Sequence, residues 1–219
     1  MLLPCKRLLV MCAAICAFSL IARADNLIAN GGFETGNLAG WGQADPGGTG
    51  LGTVSATNAT ITPDGNPTVG PASGTYYALF SEENGPDAND IYQSFTVQAN
   101  TSYYLSFDMF VNDVFGTGNF GGAAYICDAG CTELYGADTS QVDPGVPNPW
   151  VAENFNITSD LTAGDTAYVV FYAGGSNGPL DVGVDNVVLS TPEPSGLLTI
   201  PMLLITGRQW YKMRRTRRS

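Results

Sequence analysis

Between Asp25 and Gly207 the chain contains no lysine, arginine or histidine, although nineteen of its twenty acidic residues lie between Asp25 and Asp185. A segment of charge −19 cannot hold itself together with side-chain ion pairs. Each carboxylate must be solvated, hydrogen-bonded to backbone or amide groups, or neutralised by a bound cation. Calcium, a hard cation that takes oxygen ligands, suits such a surface. Nucleic acid and anionic lipid do not, because no cation is present to displace phosphate counterions. Without histidine there is no Ser-His-Asp triad and no histidine metal site. Paired carboxylates remain as a means of glycoside hydrolysis, but no motif joins any pair, such as Asp108 and Glu153. The chain is read as a non-enzyme with no catalytic residue.

All nine basic residues lie at the two ends. Lys6 and Arg7 precede an apolar run from Leu8 to Ile21, and Ala22-Arg23-Ala24 forms an A-x-A cleavage signal. Residues 1–24 are therefore a secretory signal peptide. At the other end, Pro192, Glu193 and Pro194 are followed by a short apolar segment, expected to be helical, and by an arginine-rich terminus from Arg208. Leu197 to Thr206 is shorter than the roughly 20 residues that span a bilayer. The positive-inside rule keeps the basic end cytoplasmic. This is the pattern of a transient anchor.

Residues 25–190 lack a helical period and break into short runs bounded by Gly, Pro, Asn and Asp. Strands are expected at Thr53–Ala59, Thr75–Ser81, Asp90–Val97, Ser102–Val111, Gly122–Cys127, Trp150–Ile157, Thr166–Ala173 and Asp181–Leu189. In the longest, Tyr103, Leu105, Phe107, Met109 and Val111 share one face, and Tyr104, Ser106, Asp108 and Phe110 the other. Eight or nine such strands imply an all-β chain, an antiparallel β-sandwich of jelly-roll type. The stretches Ala44–Gly52, Thr62–Gly74 and Thr139–Pro149 are expected to be surface loops. Cys127 and Cys131 flank Asp-Ala-Gly and are the two cysteines that survive export. A disulfide closing this loop is expected in an oxidising compartment; a metal site would need ligands that histidine does not supply.

The order signal peptide, Pro192-Glu193-Pro194, apolar run and arginine-rich end resembles the PEP-CTERM sorting signal of Gram-negative bacteria, here over residues 191–219. The resemblance implies recognition by an exosortase, a membrane protease of the inner membrane, and cleavage near the motif. The protein would then pass to the cell surface or the extracellular matrix.

The domain opens with Asn26-Leu-Ile-Ala-Asn-Gly-Gly-Phe-Glu-Thr-Gly36 and Gly40-Trp41, and closes with Asp185-Asn-Val-Val-Leu189. With Ile91-Tyr-Gln-Ser-Phe95 and Tyr103-Tyr-Leu-Ser-Phe-Asp108 between them, these resemble carbohydrate-binding modules with a galactose-binding-like jelly roll. The resemblance implies that first and last strands are neighbours, that Glu34 and Asp185 help to hold a structural calcium, and that polysaccharide or matrix components are partners. The alternative is that Glu34 is solvated and Asp185 bonds a loop backbone. Sugar rings stack on exposed aromatics, which nominates Trp41, Tyr76, Tyr77, Tyr92, Tyr104 and Trp150. Most alternating aromatics belong to a core, Trp41 above all, so none is assigned as a ligand. A purely structural matrix protein is the competing reading.

Overall fold

A computed structural model describes residues 26–44, 53–62, 65, 67–82, 87–113, 120–130, 133–139, 149–175 and 180–191. The expected signal peptide, Cys131 and with it the expected disulfide, most of the loops expected at Ala44–Gly52 and Thr139–Pro149, the Pro192-Glu193-Pro194 motif and the apolar and arginine-rich tail lie outside the described residues.

Among the described residues ten strands form two antiparallel sheets. In chain order they are β1 (Gly42–Ala44), β2 (Thr53–Thr57), β3 (Tyr77–Glu82), β4 (Asp87–Thr96), β5 (Tyr104–Asp113), β6 (Phe120–Cys127), β7 (Glu133–Thr139), β8 (Val151–Asn156), β9 (Thr166–Gly175) and β10 (Leu180–Ser190). One sheet has the order β1-β4-β9-β6-β7 and the other β2-β3-β10-β5-β8. Among the described residues the helical structure is one 3-10 turn, Thr158–Asp160, and no helix is long and apolar enough to cross a membrane.

Period-two patterning makes this architecture. The odd residues Ile91 and Phe95 of β4 and Val169 and Phe171 of β9, with Ile126 of β6, point inward from the first sheet. Leu105, Phe107, Met109 and Val111 of β5 and Val182 and Val184 of β10 meet them from the second. Phe107 and Phe171 join the layers edge to face, with ring centroids 5.0 Å apart. This is an aligned sandwich core.

The chain's first and last segments run side by side, as the resemblance implies. Asn26 bridges Ser190, Leu27 N–H donates to the Leu189 carbonyl at 2.8 Å, and Val187 N–H donates to the Gly31 carbonyl at 2.9 Å. Between Asp185 and Val188 the β10 register slips against β5, and Asn186 takes a left-handed φ of 53°. This bulge turns Asp185 and Asn186 towards the loop that precedes β3.

That loop is the one expected at Thr62–Gly74, and several of its described residues are exposed. Its described residues lie over the outer face of the second sheet. Tyr77, Leu79 and Phe110 form a second buried cluster there, with Trp150 packed against it. The Tyr77 hydroxyl donates to the Ala59 carbonyl at 2.9 Å and stands 3.0 Å from the Thr68 hydroxyl. Trp150 Nε1–H donates to the Gly70 carbonyl at 2.9 Å. Each aromatic thus buries its apolar body and still satisfies its polar atom. Cys127 ends β6 fully buried, opposite Tyr168.

Candidate functional site

The outer face of the first sheet has a different character. Strands β4, β9 and β6 are neighbours, and their outward positions carry four tyrosines. Tyr92 on β4 and Tyr125 on β6 lie directly opposite Val170 of β9 from its two sides. Tyr168 and Tyr172 flank Val170 along its own strand. Val170 is thus surrounded by four phenol side chains and is only 2% exposed. The tyrosines themselves are half-buried. Tyr92 and Tyr168 meet edge to face at 6.1 Å, and Tyr125 and Tyr172 lie 6.2 Å apart with their planes 37° from parallel. Glycine makes room for two of these rings. A Cβ at Gly42 or Gly174 would collide with Tyr92 or Tyr172 respectively, so both rings lie down on the sheet and show an edge and part of a face.

Asp90 belongs to the same face. It pairs with Ala44 on β1 and with Tyr172 on β9. Its Oδ1 is sealed from solvent and has no hydrogen-bond partner. Burial raises its pKa to about 6. Because the folded value lies above the ordinary 3.8, the fold favours the neutral acid. The associated stability is lost as pH rises through 6.

The expected calcium residues meet at one loop. Asp185 is fully buried. Its Oδ2 accepts from the amides of Ala72 and Ser73, both at 3.0 Å, and its Oδ1 accepts from the Asn186 amide at 2.7 Å. Glu34 Oε1 accepts from Thr75 at 2.8 Å and Tyr76 at 3.1 Å. Gly32 lies between the two acids, for a Cβ there would be 3.8 Å from Glu34 Cγ and 4.0 Å from Asp185 Oδ1. Burial raises the Asp185 pKa, opposed by the Ser73, Asn186 and Ala72 amides, and the nearby charge of Asp108 adds to the rise. The Thr75 and Tyr76 amides lower that of Glu34. Asn186 extends the network, accepting from the Ser73 hydroxyl at 2.6 Å and donating to Asp108 at 2.7 Å. Among the described residues no three acidic, cysteine or histidine side chains converge. The two carboxylates fit calcium in charge and hardness, and carbonyl oxygens would have to complete its shell.

The nominated aromatics divide. Trp41 is buried, stacked on Phe33 at 5.6 Å. Tyr77 and Trp150 belong to the covered face, and Tyr76 packs against the main core. Tyr104 is half-buried on β5, in the second sheet. Only Tyr92 lies on the open tyrosine face. Tyr125, Tyr168, Tyr172 and Asp90 were not singled out from the sequence; each occupies an outward position of a strand, but nothing local reveals that the three strands are adjacent.

No protein-family model and no curated protein matches the chain. Solved structures do. The carbohydrate-binding module TmCBM61, solved with β-1,4-galactotriose, is 18% identical with a TM-score of 0.51, over 75% of this chain and 97% of that one. A Stig cyclase from Fischerella sp. TAU is 16% identical with a TM-score of 0.55, over 78% and 98%. The K3 adhesin domain of Lys-gingipain from Porphyromonas gingivalis is 17% identical with a TM-score of 0.50, over 76% and 97%. At such identities the likeness establishes the β-sandwich fold, which serves binding modules, an adhesin domain and cyclases alike.

Proposed function

We propose that this chain is an exported, non-catalytic protein of the cell surface or extracellular matrix that binds polysaccharide across the tyrosine face of the β1-β4-β9-β6-β7 sheet. The observation that carries this reading is the asymmetry of the sandwich. One outer face is closed by a loop that satisfies its aromatics, while the other presents four partly exposed phenols around Val170. Such rings offer π surfaces to the apolar faces of sugars and hydroxyls to their polar edges. Lack of catalysis fits the missing histidine and the setting of Asp90, whose cross-strand partners are alanine and tyrosine. The likeness to carbohydrate-binding modules supports the same direction.

Export by the signal peptide, engagement of an exosortase at Pro192-Glu193-Pro194 and a passing stay in the inner membrane complete the proposal. Two measurements address the two halves. Protein recovered from the cell surface is expected to start at Asp25 and end near the motif by intact mass. In affinity electrophoresis against a panel of neutral polysaccharides, Tyr125→Ala and Tyr92→Ala should each weaken binding by about tenfold, the value of one aromatic contact. Tyr104→Ala, in the other sheet, should leave it unchanged. Wild-type retardation by no polysaccharide would favour a purely structural matrix role. An intact arginine-rich tail on the surface protein would remove the sorting step.

We further propose that Glu34 and Asp185 hold calcium where the first and last segments meet. Bound calcium would join the 71–76 loop to both ends of the domain. A chelator is then expected to lower the melting temperature by several degrees, with recovery on adding calcium, since a ligand bound to the native state alone stabilises it. Identical melts in chelator and calcium would eliminate the site.

A further inference from the structure

We infer that the tyrosine face is built for a polysaccharide bearing free amino groups, with Asp90 as the residue that takes the ammonium. This inference rests on the polysaccharide reading above and narrows it to a chemical class.

Asp90 is set into the face, opposite Tyr172 and two residues from Tyr92 on its own strand. Its neighbours in the sheet are Ala44 from β1, Tyr172 from β9, and Ala88 and Tyr92 along β4. Among the described residues two phenols are the titratable groups beside it in the sheet, and no lysine, arginine or histidine lies between residues 25 and 207. Sealed Oδ1 accepts no hydrogen bond, so an ionised Asp90 is poorly compensated by the protein itself. A desolvated carboxylate without a partner is costly, and burial accordingly holds its proton on.

The choice of ligand follows from what stacking would do. A neutral sugar laid on Tyr92 and Tyr172 would exclude more water and leave the carboxylate with at most a hydroxyl donor. An acidic sugar would add repulsion. An ammonium brings both a charge-assisted hydrogen bond and attraction to the phenol faces beside the acid. The diffuse negative charge of the domain also draws polycations, but that attraction is screened beyond a Debye length of roughly 8 Å at physiological salt. A contact pair at Asp90 is screened much less.

The test is calorimetric titration of the surface-derived protein with β-1,4-linked glucosamine hexamers, fully N-acetylated or partly deacetylated, at about pH 6.5, where the sugar amine still carries a proton and Asp90 is largely ionised. Charged and neutral hydrogen bonds differ enough that the deacetylated hexamer should bind about tenfold more tightly. That ratio should survive a rise from about 0.15 M to about 0.5 M salt. It should shrink below about pH 6, where Asp90 takes up its proton. In Asp90→Asn the ratio should fall to within about twofold, the charged partner being gone. Asp160→Asn, a partly exposed acid in the 3-10 turn, should keep the wild-type ratio. The ratio is read within one variant, so a general loss of affinity does not mimic the result; Asp90→Ser carries the same comparison if the asparagine variant is unstable. Equal affinities for the two hexamers, or a preference that persists in Asp90→Asn, would overturn the inference and leave neutral polysaccharide binding intact. Failure to bind either hexamer or any neutral polysaccharide would remove both.

Discussion

Truncating Phe171 to alanine is expected to lower the unfolding free energy by about 3–5 kcal/mol, as for other fully buried aromatics. Phe171 has no exposed surface. It meets Phe107 of the other sheet at 5.0 Å and Trp41 at 5.9 Å, and it lies between Ile91 and Ala124 in the ladder. The substitution removes transfer energy and also leaves a cavity in a core that packs like a solid. Because native domains hold only about 5–15 kcal/mol in total, the variant should unfold at a much lower denaturant concentration. Phe171→Leu should recover most of the loss. There is also a functional readout. Val170 and Tyr172 leave the same strand on the opposite side, so a shifted β9 should weaken polysaccharide binding even where the protein remains folded. An unchanged denaturation midpoint would mean that the two layers are not joined through this ring.

Removing the Asp185 carboxylate should cost about 2–3 kcal/mol, since three amides lose their acceptor. Two effects oppose each other at this residue. Burial makes the charge unfavourable, and the bonds from Ala72, Ser73 and Asn186 stabilise it. The bonds should dominate in Asp185→Ala, because the amides remain while their acceptor disappears. The first consequence should be local: the segment before β3 should become sensitive to protease at lower temperature than the sandwich itself. Asp185→Asn, which keeps one carbonyl oxygen, should lie between the two. Equal protease resistance of wild type and Asp185→Ala would show that the aromatic cluster under Trp150 holds this loop without the carboxylate.

Much of the sandwich could be read from alternation. The β5 pattern of Leu105, Phe107, Met109 and Val111 is buried as its period requires, and all eight expected runs are strands within a few residues. Two strands escaped. Gly42–Ala44 is too short to show a period, and its pairing with β4 is supplied by tertiary context. Glu133–Thr139, with Gly136 and Asp138 inside it, has weak intrinsic strand preference. The covered face left one clue, Phe110 among the polar residues of its side of β5, where an apolar ring implies a lid. The tyrosine face left almost none. Period two tells which residues point outward, but bringing Tyr92, Tyr125, Tyr168 and Tyr172 together requires the order β4-β9-β6. That order is set by long-range pairing and is not written in any local stretch.

The Asn26–Ser190 bridge has a bearing on both termini. Both ends of the sandwich emerge from one margin of the layer that contains β10. A substitution that unpairs Asn26 from Ser190 would therefore loosen both termini of the domain together.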